Sequence, residues 1–149
     1  MAGISNIYIH SILKKTVTNF DGVYSCNNIP SKLLKQSTFC VVCNLAKENE
    51  PGTHFITLIK QARKLLIYDS LALSLTLYPV ALKKLFTLYK PVIMCSTPLQ
   101  TINSTFCGFY CILFVLRYNY PFIKITPFST PKINDNICIR NIEKIIKQT

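Results

Sequence analysis

Tryptophan is absent from these 149 residues, glycine occurs four times and histidine only twice, at His10 and His54. Any imidazole chemistry therefore rests on one of two positions. Acidic residues are almost as scarce, six against 17 lysines and arginines, and between Glu50 and Asp135 the sole carboxylate is Asp69. No apolar run approaches the ~20 residues that a membrane-spanning helix needs. The longest, Phe109 to Leu116, has eight residues and stops at Arg117. The first fifteen residues mix polar and apolar types, without the basic, apolar and small-residue succession of a secretory leader. A soluble intracellular protein without membrane contact is expected.

Seven cysteines cannot all pair, and they sit in apolar stretches such as Phe39-Cys40-Val41-Val42-Cys43, which fits buried free thiols better than a disulfide framework. Cys40-x-x-Cys43 has the spacing of half a zinc site, but on a strand residues three apart point to opposite faces. No metal is expected. A hydrophobic share of 50% and a charged share of 15% exclude long disorder. No repeat, linker or composition break divides the chain, so residues 1–149 are expected to form one domain.

The pattern along the chain mixes helical and strand periods. Ser5 to Val17 reads as an amphipathic helix with Ser5 as its cap and Ile7, Ile12 and Leu13, with Ile4 and Ile9, turned inward. His10 lies on it as a surface or packing histidine. Thr18 to Pro30 carries Asp21-Gly22 and Asn27-Asn28 and reads as a loop, with a short helix from Ser31. Strands are expected at 38–44, 54–60 and 64–69, the last two joined by the hairpin turn Gln61-Ala62-Arg63. A helix follows from Pro79 to Lys90, then a strand from Val92 to Ser96 and a loop from Thr97 to Phe106. From Cys107 the helical spacing of Cys111, Phe114, Val115 and Tyr118, with apolar residues between them, marks a buried central helix. Gly108 there implies a close approach by backbone or substrate. Pro121 to Pro131 is extended, and Asn134 to Gln148 is a terminal amphipathic helix with Ile137, Ile142, Ile145 and Ile146 as its apolar positions.

His54, Asp69, Gln100 and Cys107 occur in that order and supply the parts of a thiol hydrolase. The thiolate is the nucleophile, and an adjacent imidazole, His54, can take its proton. A carboxylate on the other ring nitrogen orients the imidazole and offsets its charge, a role that suits Asp69, whose position at the end of an apolar run calls for a partner. Gln100, seven residues before Cys107, can donate to an oxyanion together with the Cys107 N–H. A helix beginning at Cys107 would further favour thiolate. The hairpin turn near residue 62 places His54 and Asp69 nearly opposite each other at one end of the sheet.

Three stretches carry a resemblance: Gly52-Thr53-His54-Phe55, Tyr68-Asp69-Ser70-Leu71, and Gln100-Thr101-Ile102-Asn103-Ser104-Thr105-Phe106-Cys107-Gly108-Phe109-Tyr110-Cys111. They resemble the adenovirus endopeptidase (adenain) family and, more distantly, the ubiquitin-like-protein-specific proteases of the same clan. The block around Cys107 is nearer to adenain, whereas Tyr-Asp-Ser-Leu is nearer to the ubiquitin-like branch. With Phe20-Asp21-Gly22-Val23-Tyr24, which resembles the loop preceding the histidine strand in adenain, the resemblance spans about residues 20–117 and implies an α+β fold in which a helix headed by the nucleophile packs on a sheet carrying the histidine and acid. It implies a cysteine endopeptidase cleaving polypeptides at glycine-containing sites, acting in virion maturation on capsid or core precursors, in the host nucleus and virion. A deubiquitinating or deSUMOylating isopeptidase is the neighbouring alternative. A non-catalytic, basic nucleic-acid-binding protein that keeps the fold is an alternative of another class.

The sequence departs from the family at Phe55, where tryptophan is usual, and in having only 42 residues after Cys107. Cys95 lies too near Gln100 to match the cysteine that holds an activating peptide, so a covalently attached cofactor is not implied. Asn103-Ser104-Thr105 has the form of a glycosylation sequon but reads as a polar loop. The chemistry itself needs no cofactor; the resemblance brings in DNA and a viral peptide as activators. A net charge of +11, spread over lysines along the chain, favours polyanions at low salt and is consistent with DNA.

Overall fold

Five strands in the chain's own order make up the sheet that carries the site. The computed structural model of the protein describes residues 3–149. β1 (Gly22–Ser25), β2 (Thr38–Asn44), β3 (Phe55–Gln61), β4 (Lys64–Tyr68) and β5 (Val92–Met94) lie side by side as β1-β2-β3-β4-β5. The inner pairs are antiparallel and the two outer pairs parallel, giving a mixed sheet. β2 and β3 are buried on both faces, which explains their nearly continuous apolar sequences.

Helices cover both faces. α1 (Asn6–Thr16), α4 (Cys107–Asn119) and α5 (Pro131–Gln148) pack with Cys40, Val42 and Ile59 from one face of the sheet. α2 (Ser31–Leu34) and α3 (Val80–Phe86) meet Val41, Cys43, Leu58 and Ile67 on the other. Cys40 and Cys43 thus lie on opposite faces, as their strand spacing requires. α4 is the central support: Tyr110, Ile112, Leu113, Val115 and Leu116 are all buried, and α1, β3 and α5 surround it. The result is a single α+β domain. No helix among the described residues is long and apolar enough to cross a membrane.

Four readings of the sequence need correction. The segment 18–30 is not simply a loop, because β1 pairs parallel to β2 there; Asp21 Oδ2 accepts from Cys40 N–H at 2.9 Å, so the turn residue itself begins the pairing. Ile7 is 78% exposed while Ile9 and Leu13 are fully buried. Residues two apart on a helix face nearly opposite ways, so Ile7 and Ile9 cannot share the inner stripe. α3 ends at Phe86 rather than Lys90, since Tyr89 must turn inward against Phe39 and the Lys90 N–H must reach Arg63 O at 2.9 Å. The last helix begins at Pro131, a favourable first-turn position, rather than Asn134. Its Asn134 and Asn141 are buried, and their side chains hold the backbones of Ser129 and Thr126. These paired amide bonds dock the extended segment 121–130 in place of strand pairing.

Candidate active site

β3 and β4 bring His54 and Asp69 together. His54 precedes the first residue of β3 and Asp69 follows the last residue of β4. The register sets Thr57 opposite Tyr68. Asp69 therefore stands beside Ile56, two positions past His54 and on the same face. His54 Nε2 lies 2.7 Å from Asp69 Oδ1. Both are buried, at 7% and 1% exposure.

Asp69 is held from every side. Oδ1 also accepts from Leu71 N–H at 2.9 Å, and Oδ2 accepts from Leu73 N–H at 3.1 Å and from Tyr78 O–H at 2.6 Å. The Leu71 and Leu73 contacts make Asp69 the cap of its own turn, which closes with Ala72 N–H on Asp69 O and puts Ala72 at φ 49°. A left-handed alanine is unusual, and the bonds to the carboxylate hold it there. Burial pushes the Asp69 carboxyl up, but its bonds from His54 and Tyr78, the His54 charge and the Leu71 N–H together hold it below the ordinary 3.8.

Cys107 opens α4 and is only partly buried, unlike Cys26, Cys40, Cys43, Cys111 and Cys138. With Nε2 of His54 engaged by Asp69, Nδ1 is left for the thiol. Burial raises the Cys107 thiol, but the hydrogen bond and charge of His54, with the backbone N–H groups of Phe55 and Gly108, outweigh it and lower the pKa. His54 moves the other way: burial lowers it, while bonding to Asp69 and Cys107 and their negative charges raise it to about 9. The two opposite shifts favour a thiolate–imidazolium pair, backed by a carboxylate.

Gln100 is also buried and lies in the same cleft. Its Oε1 accepts from Ser70 O–H, its Nε2 donates to Ser104 O at 3.2 Å, and its backbone N–H donates to Ser70 O at 3.1 Å. Among the described residues the second Nε2–H has no acceptor. The Ser104 carbonyl, which can only accept, thus fixes which end of the amide carries the donors. The cleft, about 810 Å³, is lined by Cys107, His54, Gln100, Tyr24, Asn44 and the turn from Lys47 to Glu50 among others.

All four residues singled out in the sequence meet at this one place, and His10 does not: it packs against Phe20 near the rim of α1. Sequence reasoning missed Tyr78 and Ser70. Ser70 follows the acid directly and could have been suspected from the Tyr-Asp-Ser-Leu block; Tyr78 carries no local signal. Gly108 does mark a close approach, but by side chains: a Cβ there would lie 2.6 Å from Ile4 Cγ1 and 3.0 Å from Ile9 Cδ1. The chain matches no protein-family model and no curated protein.

Proposed function

We propose that this chain is a cysteine endopeptidase of the adenain kind, with Cys107 as nucleophile, His54 as base and acid, Asp69 as its orienting carboxylate and Gln100 as oxyanion donor. The observation that carries the reading is the buried Asp69–His54 contact at 2.7 Å behind a thiol whose pKa is lowered by the same imidazole. A buried ion pair is costly to build for stability alone. Serving a nucleophile gives it a purpose.

The thiolate of Cys107 attacks the scissile carbonyl carbon, and the carbonyl π electrons move to oxygen. The free N–H of Gln100 and the first N–H of α4, at Cys107, stabilise that oxyanion. Its collapse expels the amine, which takes the proton from His54 Nδ1 and leaves a thioester on Cys107. Neutral His54 then draws a proton from water, the hydroxide adds to the thioester, and Cys107 departs as thiolate.

Maturation of viral capsid or core precursors at glycine-containing sites, in the host nucleus and virion, is the physiological setting we assign. The +11 charge supports duplex DNA as an activating partner, with a viral peptide as a second. The test is a thiol-reactive electrophile on the wild type and on Cys107→Ala, with and without DNA, followed by a glycine-centred peptide library. Selective loss of labelling in the variant and cleavage beside glycine support the reading. Uniform labelling of the seven thiols would sink it. Efficient reaction with ubiquitin-like probes ending in Gly-Gly would instead favour an isopeptidase. DNA binding that does not weaken with salt would remove the polyanion partner.

A further inference from the structure

We infer that Asp135, on α5, is a positioning residue for the oxyanion donors and acts through Ser104; the inference rests on the thiol-protease reading above. Asp135 is one of only six acidic residues in a chain of net charge +11. Among the described residues it forms no ion pair. Its two oxygens turn inward instead, Oδ2 accepting from Ser104 O–H at 2.8 Å and Oδ1 from Tyr110 O–H at 3.0 Å.

Ser104 sits between the two groups that must converge on an oxyanion. Its carbonyl accepts from Gln100 Nε2 at 3.2 Å, and its hydroxyl oxygen accepts from the N–H of Phe106, the residue before the nucleophile, at 3.2 Å. A hydroxyl has one proton to give. With that proton committed to Asp135, the lone pairs of Ser104 face Phe106 N–H, and the hydroxyl cannot rotate to act as a donor elsewhere. The neighbouring Asn134, fully buried, donates to Leu99 O at 2.9 Å, and the Tyr110 hydroxyl, 3.2 Å from that carbonyl, shares its one proton between it and Asp135 Oδ1. The start of α5 therefore grips both ends of the segment from Leu99 to Phe106. It sets the separation between the Gln100 amide and the Cys107 N–H.

The thiolate–imidazolium pair is held separately. Its main stabilising partners are Asp69, Phe55 N–H and Gly108 N–H, and the side-chain hydrogen bonds of Asp135 go to Ser104 and Tyr110 instead. Loss of Asp135 should loosen the oxyanion site and leave the nucleophile formed.

The experiment compares full-length wild type, Asp135→Asn, Ser104→Ala and the double variant, each shown by melting to be folded at the assay temperature. Peptide hydrolysis and alkylation of Cys107 by iodoacetamide, which forms no oxyanion, are measured across pH. The expected result is a fall in kcat of about tenfold to a hundredfold in each single variant, with KM within about twofold of wild type. The alkylation profile should stay unchanged, and the double variant should be no slower than the slower single one, because the two residues act in series. Should Asp135→Asn fail to fold, Ser104→Ala reads the same split with the Asp135–Tyr110 contact intact. Unchanged kcat, alkylation falling in step with kcat, or additive losses would overturn the inference. Failure of the protease reading shows in the wild type itself, which would then neither alkylate selectively at Cys107 nor turn over, and the inference would fall with it.

Discussion

His54 reaches Asp69 along a diagonal, not as a directly opposed cross-strand partner: the contact is 2.7 Å, yet beyond the last ladder pair, Thr57 and Tyr68, Asp69 is the next residue and His54 lies three positions away. Two residues along a strand restore the same face, so the side chains converge while their backbones remain offset. A shift of one residue would send one of the two through to the other side of the sheet. The turn at Ala62 and Arg63 is thus a determinant of the site.

Asp69→Asn should lower stability by about 1–3 kcal/mol, since an amide cannot accept from all four donors that converge on the carboxylate. The loss depends on pH in a definite sense. The folded carboxyl lies below 3.8, so its contribution is fully present above 3.8 and fades as pH falls through the depressed folded value. Urea midpoints of wild type and variant should differ at pH 7 and 5 and converge towards pH 3. A gap that stays constant over that range contradicts the assignment.

Cys107 should be the first thiol alkylated at neutral pH, with its acid limb below the ordinary thiol value of 9.0. Peptide hydrolysis should fall again as pH rises past about 9, where His54 gives up the proton needed by the leaving amine. In His54→Ala the alkylation limb should move upward, because burial then acts without the imidazolium to oppose it. Mass mapping of the labelled cysteine and a rate profile in both proteins decide this; an unmoved limb would show that His54 does not activate the thiol.

Tyr78→Phe removes one donor from Asp69 Oδ2 and adds no bulk. The expected cost is about 1–3 kcal/mol of stability, with a smaller loss of activity than Asp69→Asn, because the His54 contact is kept. Denaturant melts beside kcat measurements would reveal it. A fully stable variant would mean that water replaces the phenol.

Gly108→Ala forces a methyl group against Ile4 and Ile9 and should destabilise by about 1–3 kcal/mol. Ile4→Ala in the same chain should recover part of the loss in melting temperature, since it vacates the space. Additive losses in the double variant would exclude the clash.

Regular elements were legible where one period dominated. β2 spans the residues that its apolar run marked, and α4 begins and is buried where its apolar spacing placed it. His54 and Asp69 could be found because each is chemically rare in its stretch, and Gln100 and Cys107 because of the block that joins them. β1 was hidden because its four residues follow Asp21-Gly22, whose turn chemistry is real while the pairing depends on β2, a distant segment. Tyr78 and Asp135 were out of reach for a related reason. A phenol and a carboxylate on separate elements have meaning only once folding has chosen their partners.

The separation of His54 and Asp69, on a local hairpin, from Cys107, on a helix supplied by a later stretch of chain, bears on when in folding the thiol meets its imidazole. During synthesis the hairpin can close before α4 has emerged, and at that stage Cys107 is an ordinary thiol. Only docking of α4 onto the sheet brings it beside the imidazolium, and α5, which follows in the chain, holds the loop carrying Gln100. A nascent or partly unfolded chain therefore keeps the thiol and the imidazole apart until α4 has docked.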